Sequence, residues 1–155
     1  MSGTRSTAVS DLKSHIGFWM RFVSNHVSQA FAAQLLRTGI TVAEWVVLRE
    51  MFELGATSPS IVAERTGMTR GTASKLVDRL LAKKLLTRTE RADDRRFQDI
   101  ALTPAARRLV PTLAAIADRN DRHFFAALTQ AERETLLVLL QKLAQAHALR
   151  KLPTE

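Results

Sequence analysis

TGMTRGTASKLVDRLLAKKLLTRTERADDRRFQDIAL, residues 66–102, is the stretch around which the rest of the chain is organised. It opens with Gly67 and a polar cap, Thr69, ahead of a helix predicted over Arg70–Lys83. Two short extended runs follow, Leu86–Glu90 and Arg96–Leu102, separated by the charged tip Arg91-Ala92-Asp93-Asp94-Arg95. Within the helix, Ala73, Leu76, Val77 and Leu80 recur at helical spacing and form one apolar stripe. The opposite face is centred on Gly71, Ser74, Lys75 and Asp78, with Arg70 and Arg79 at its flanks. Small residues let a helix sink into a major groove about 12 Å wide, where Arg or Lys reaches base edges. Gly71 costs roughly 1 kcal/mol against Ala inside a helix, and close backbone approach to a partner is one reason to keep it. Taken alone, the same pattern also fits an ordinary amphipathic surface helix with a solvated face.

The neighbouring segments narrow the choice. Ser58-Pro59 reads as N-cap and first residue of a short helix, Pro59–Arg65, closed by Gly67, with Ile61 and Val62 on its buried side. Two helices joined by a short turn containing Gly define a helix-turn-helix, and the hairpin that follows supplies a wing. From Arg65 to Arg96 there are ten Lys or Arg against four acidic residues, an excess of six, whereas the whole chain carries +8. A basic patch concentrated on one helix and one hairpin is the electrostatic footprint of nucleic-acid binding. The expected fold is mostly α with a small two- to three-stranded β-wing, a winged helix-turn-helix.

Thr69-Arg70-Gly71-Thr72-Ala73-Ser74-Lys75-Leu76-Val77-Asp78-Arg79-Leu80, then Asp94-Arg95-Arg96, then Leu102-Thr103, resembles the MarR family of bacterial transcription regulators. Upstream, Ile40-Thr41-Val42-Ala43-Glu44-Trp45 resembles the start of that family's second helix, so the likeness covers about Thr41–Ala106 in register. Two positions depart from it: the family usually has Gly where Lys84 and Ala106 stand. Lys84 would then close the recognition helix in a left-handed conformation that costs a non-glycine residue free energy. The resemblance implies a homodimer, a pseudo-palindromic operator in double-stranded DNA, and repression relieved by a small aromatic or phenolic effector. It also implies that the aspartate of Asp-x-Arg, here Asp94, steadies the wing while Arg96 reaches the minor groove. The candidate DNA-binding residues are Ser58, Thr69, Arg70, Gly71, Thr72, Ser74, Lys75 and Arg79 on the helix-turn-helix. On the wing they are Arg88, Arg91, Asp94, Arg95 and Arg96.

Outward from this centre, the chain reads as helices. From about Val9 to Leu36, the residues Leu12, Ile16, Trp19, Val23, Val27 and Phe31 follow a three-to-four spacing, and Phe18 and Phe22 widen the stripe. So wide an aromatic face calls for burial on two sides, by the chain's own domain and by a partner chain. Thr41 and Glu44 form a capping box for a second helix that runs to about Leu54, where Gly55 stops it. After the hairpin, Thr103-Pro104 starts a long helix towards Ala127 with Pro111 inside it. Thr129 and Glu132 form a second capping box for a last helix reaching about Leu149. Its Leu136–Leu140 run is apolar all round, which a helix on a monomer's surface cannot sustain. The expected organisation is 1–36 and 103–155 as a dimerisation region from both chain ends, with 37–102 as the DNA-binding domain.

Composition supports this plan and removes several chemistries. With 155 residues and 46% hydrophobic content the chain has material for a real core. There are no cysteines, which excludes disulfides, thiolate metal sites and cysteine-based peroxide sensing. No 18-residue apolar run and no signal-peptide core are present, so a cytoplasmic protein without membrane contact is expected. The four histidines lack metal-ligand spacing, and no P-loop, dinucleotide fingerprint or nucleophile elbow occurs. No catalytic residue, cofactor or metal is therefore expected, and Asp93 with Asp94 suits ion pairing in an arginine-rich tip better than acid–base work. His15, Trp19, Phe22 and Trp45 are the candidate residues for an aromatic effector, although core and dimer packing would use the aromatic ones equally well. A protein-docking module that binds no DNA and a small helical enzyme are the rival readings. The first would show salt-insensitive binding, because phosphate contacts lose affinity steeply with salt; the second lacks a nucleophile–base pair.

Overall fold

The computed structural model describes residues 9–94 and 98–154. Among them are six α-helices and one antiparallel hairpin. In chain order they are α1 (Ile16–Leu36), α2 (Val42–Leu54), α3 (Pro59–Thr66), α4 (Arg70–Ala82), β1 (Leu86–Glu90), β2 (Gln98–Leu102), α5 (Pro104–Phe124) and α6 (Gln130–Ala146). The caps named above form. Thr41 and Glu44 make a full capping box, as do Thr129 and Glu132, and Thr103 and Ser58 each cap a helix with Pro in the first turn. Gly39, Gly55 and Gly67 take positive φ where α1, α2 and α3 end.

α3 and α4 end within one residue of the sequence reading, at Thr66 and Ala82, and three other helix boundaries differ by more. The first helix begins at Ile16 rather than Val9, because a 3-10 turn at Leu12–Ser14 leads into an extended His15. The fifth stops at Phe124 rather than Ala127, followed by a turn in which the Leu128 N–H donates to the Phe125 carbonyl. The last stops at Ala146 rather than Leu149, because Ala148 adopts φ 50° and turns the chain away.

The core sits where α2, α3, α4, the hairpin and the first half of α5 meet. Val47, Leu48, Met51, Val62, Val77, Leu80, Ile100 and Leu113 are wholly buried there. In the hairpin Leu86 pairs with Leu102 and Glu90 with Gln98. Ile100 also bridges to Thr57, through N–H···O contacts of 2.9 and 2.7 Å, so the loop before α3 is laid against the wing.

One ion pair, with its carboxylate buried, ties the end of α4 and the start of α2 to the turn after α1. Glu44 is 1% exposed. Its carboxylate accepts the Thr41 backbone N–H at 2.9 Å and the Lys83 ammonium at 2.7 Å, and Lys83 also donates to the Gly39 carbonyl at 2.6 Å. Burial by itself would raise the Glu44 carboxyl, but the Lys83 and Thr41 hydrogen bonds outweigh it and hold it below its ordinary range. A depressed carboxyl contributes stability above its unfolded pKa, and that contribution fades as pH falls through the folded value. Lys83→Ala is therefore expected to cost about 1–2 kcal/mol at pH 7, an amount trimmed because the ammonium is partly in water. The deficit, measured by urea unfolding, should shrink as pH falls from the ordinary carboxyl value through the lowered value Glu44 has in the folded wild-type protein, below which Glu44 is protonated in both proteins. A deficit independent of pH would place the cost in packing.

The two terminal helices are different in kind. On α1, Ile16, Trp19, Phe22 and Val23 are 44–77% exposed, and on α6 Leu137, Val138, Leu139, Leu140 and Leu143 are 41–60% exposed. No residue of α6 is buried. Among the described residues these faces have no cover.

Candidate nucleic-acid interface

The recognition helix α4 is held by its apolar stripe. Ala73, Leu76, Val77 and Leu80 are all buried, at 0–4% exposure. Its start is fixed by Thr69, whose hydroxyl accepts the Thr72 N–H at 3.1 Å and contacts the Thr72 hydroxyl at 2.8 Å. Ser58 does the same for α3, accepting the Ile61 N–H at 3.3 Å. These hydroxyls are engaged in capping, so Ser58, Thr69 and Thr72 act first on the geometry of the helix starts. Ile61, expected to be buried, is 43% exposed; Val62, Ala63 and Thr66 form the inner side of α3 instead.

The far side of α4 is open. Arg70, Gly71, Ser74, Lys75, Asp78 and Arg79 are all exposed. Arg70, Lys75 and Arg79 make no hydrogen bond or ion pair among the described residues, and Gly71 faces empty space where a Cβ would stand. Three unpaired cations thus surround a small, flat surface, Gly71 and Ser74, over about two and a half turns.

Several of the other cations are engaged elsewhere. Arg65 pairs with Glu50 at 3.2 Å and Lys83 with Glu44. Arg88, on β1, pairs with Asp78 of α4 at 2.8 Å, so it joins the wing to the recognition helix. Nothing local in the sequence announces this contact, since a separation of ten residues is neither a helical nor a hairpin spacing. At the wing tip Arg91 lies 3.7 Å from Asp93 and 3.9 Å from Asp99, and the Asp94 N–H donates to the Asp93 carboxylate at 3.1 Å. Arg91 is therefore flanked by two carboxylates, Asp93 and Asp99, and the Asp93 carboxylate also holds the Asp94 backbone. Arg95 and Arg96 lie outside the described residues.

The end of α4 also shows what the lysine at 84 does. Lys84 takes φ 58°, the Leu85 N–H donates back to the Leu80 carbonyl at 2.9 Å, and Lys84 N–H donates to the Leu81 carbonyl at 2.9 Å. This is a left-handed helix ending of the kind glycine normally supplies. A non-glycine residue holds it here, supported by the Thr103 hydroxyl on the Lys84 carbonyl at 3.0 Å.

The four candidate effector residues do not share one cavity in the protomer. Trp19 lines a groove of about 400 Å³ between α1 and α6, with Val23, Phe125, Leu136 and Leu140. Its indole N–H is held by the Lys13 carbonyl at 2.8 Å, and Phe22 packs edge-on to it. Trp45 lines a separate cavity of about 240 Å³ with Phe31, Val42 and Val46, and the chain's own Leu152 and Pro153 form part of its wall. His15 stands exposed before α1 and lines neither. Among the described residues no cluster of acidic or histidine side chains has the makings of a metal site, and no helix is long and apolar enough to cross a membrane.

A two-helix reader with an open cationic face, followed by an antiparallel wing pinned to it, defines a winged helix-turn-helix of the DNA-binding kind. The family model of the MarR family matches residues 38–96. The crystal structure of a "probable transcriptional regulator" from Pseudomonas aeruginosa is 30% identical, covers 86% of this chain and 99% of its own, and superposes with a TM-score of 0.75. The structure of Bordetella bronchiseptica BpsR, from work on regulation of its DNA binding by 6-hydroxynicotinic acid, is 28% identical over 88% of this chain and 98% of its own, with a TM-score of 0.76. A Thauera aromatica protein described as a transcriptional regulatory protein for the hcr operon is 29% identical over 129 residues, 83% of this chain and 78% of that protein. The chain belongs to the MarR family, whose members are transcription regulators.

Proposed function

We propose that the protein is a sequence-specific DNA-binding repressor that acts as a homodimer on a pseudo-palindromic operator and is released by a small aromatic acid. The observation that carries this is the α4 surface. Its inner stripe is wholly buried, while Arg70, Lys75 and Arg79 stand unpaired around Gly71 and Ser74 on the outer side. Such a surface fits a major groove, with two half-sites about 34 Å apart for the two protomers. The uncovered apolar faces of α1 and α6 supply the dimer contact, since contiguous exposed apolar surface of this kind marks an interface. The Bordetella relative, whose DNA binding is regulated by 6-hydroxynicotinic acid, supports an aromatic acid as effector. The apolar groove beside Trp19 is a fitting seat for its ring. Release requires that the effector bind the two spacings of the recognition helices with different affinity. Selection of bound fragments from a random DNA pool, repeated across salt concentrations and with hydroxylated aromatic acids, tests the reading. A pool that yields no enriched palindrome, or binding indifferent to salt, would refute it.

The wing offers a second test. A narrow A·T-rich minor groove attracts a planar cation, so Arg96→Ala is expected to weaken binding most at operators with A·T-rich flanks. Asp94→Ala is also expected to weaken binding, although it raises the net positive charge, because in the MarR pattern the aspartate of Asp-x-Arg steadies the wing and orients its arginine. Charge counting alone predicts the opposite sign, so titrating Asp94→Ala at fixed salt decides between orientation and bulk electrostatics.

A further inference from the structure

Beyond α6 the chain does not trail into solvent. Ala148, at φ 50°, reverses its direction, with the Leu149 N–H donating to the Ala144 carbonyl at 3.0 Å. The segment then returns to the helix-turn-helix. The Leu152 N–H donates to the Thr66 carbonyl at 2.9 Å, at the last residue of α3. At the next residue, Gly67, an added Cβ would lie 2.6 Å from the Lys151 Cα and 2.9 Å from the Arg150 carbonyl oxygen. Leu152, half-buried, and Pro153 line one side of the cavity whose other walls include Phe31, Val42 and Trp45. Three independent features therefore meet in one segment: a left-handed alanine that redirects it, a glycine that makes room for its backbone, and an apolar seat for its side chains.

We infer that Arg150–Pro153 is a strap that fastens the outer helix α6 to the turn of the helix-turn-helix. The backbone hydrogen bond falls on Thr66, four residues before α4 begins, and the apolar seat is built from α1 and α2. A shift of α6 is thus passed to the turn that sets the start of the recognition helix. Gly67 has two roles here. Its positive φ ends α3, and its missing Cβ leaves the surface on which the strap lies. The role of the strap in operator binding rests on the function proposed above; its seating does not.

The test uses the full chain in a Trp19→Phe background, so that Trp45 is the sole tryptophan. Leu152→Asp puts a carboxylate where an apolar side chain is seated, and Gly67→Ala puts a methyl group into the strap's backbone. Both are expected to raise acrylamide quenching of Trp45 to the same level, with no further rise in the double variant. Leu152→Asp is also expected to lower operator affinity about fivefold or more, in the range of ordinary coupling between sites, with an unchanged salt slope. Quenching that neither variant alters overturns the strap, and so does a loosened Trp45 with unaltered operator affinity. A shallower salt slope for Leu152→Asp overturns it as well, by making Arg150 and Lys151 phosphate contacts. Should the parent protein bind no operator, the proposed function fails, and the quenching arm decides the seating by itself.

Discussion

Lys75→Ala is expected to lower operator affinity by about 1–3 kcal/mol at each half-site if Lys75 reads a guanine. For two protomers that is roughly 2–6 kcal/mol, about thirtyfold to twenty-thousandfold in Kd. The size follows from where Lys75 stands. It lies one turn beyond Gly71 on the open face of α4, exposed and without an ion-pair partner among the described residues, so no internal contact replaces the one lost. Binding to a panel of operators with single substitutions checks the mechanism. Relaxed preference at one position per half-site identifies base reading. A uniform loss with a salt slope lower by about one per protomer identifies a phosphate contact instead.

Leu139→Asp is expected to abolish the soluble, well-folded dimer. Leu139 is 53% exposed in the protomer, on a helix with no buried residue. In the proposed dimer it is covered, and a twofold interface brings the substitution in twice. Burying an unpaired carboxylate costs several kcal/mol per ion, against a total stability of about 5–15 kcal/mol for a typical domain. Sedimentation should show aggregated or unfolded material in place of a dimer, while Val9→Asp, 95% exposed and outside both helices, should leave assembly intact. A wild-type protein that sediments as a monomer at micromolar concentration would refute the proposed assembly, whatever the variant does.

What the sequence disclosed followed the range of the interaction involved. The capping boxes at Thr41 and Thr129 span three residues, and the stripe Ala73–Leu80 spans two turns; both were legible because neighbours in sequence decide them. The left-handed Lys84 was legible only through the resemblance to the MarR family, as a departure from the glycine usual at that position. Ile61 was misplaced because α3, at eight residues, has too few turns for periodicity to fix which side faces in. Lys83 counted as part of a basic footprint, yet its charge is directed at Glu44, which lies 39 positions away and is visible only after folding. Trp19 and Trp45 looked alike as aromatic anchors, but α1 carries the first to the outer helices and α2 holds the second under the C-terminal segment. Pairings across such distances are set by topology, and no local spacing encodes them.

Under the proposed function, the contact between Arg88 and Asp78 constrains the kind of operator the protein can accept. Helix α4 and the wing are joined there, and the bridge between Thr57 and Ile100 ties the loop before α3 to the wing as well. Such a unit measures DNA with a fixed ruler: once α4 is seated, the position of the wing along the duplex is no longer a variable. An inserted base pair between the bases read by the helix and the flank read by the wing finds no slack in the protomer. An inserted pair at the centre of the operator meets only the junction between protomers. Tolerance to spacing should therefore differ within and between half-sites, and an operator's centre should vary in length more readily than its arms.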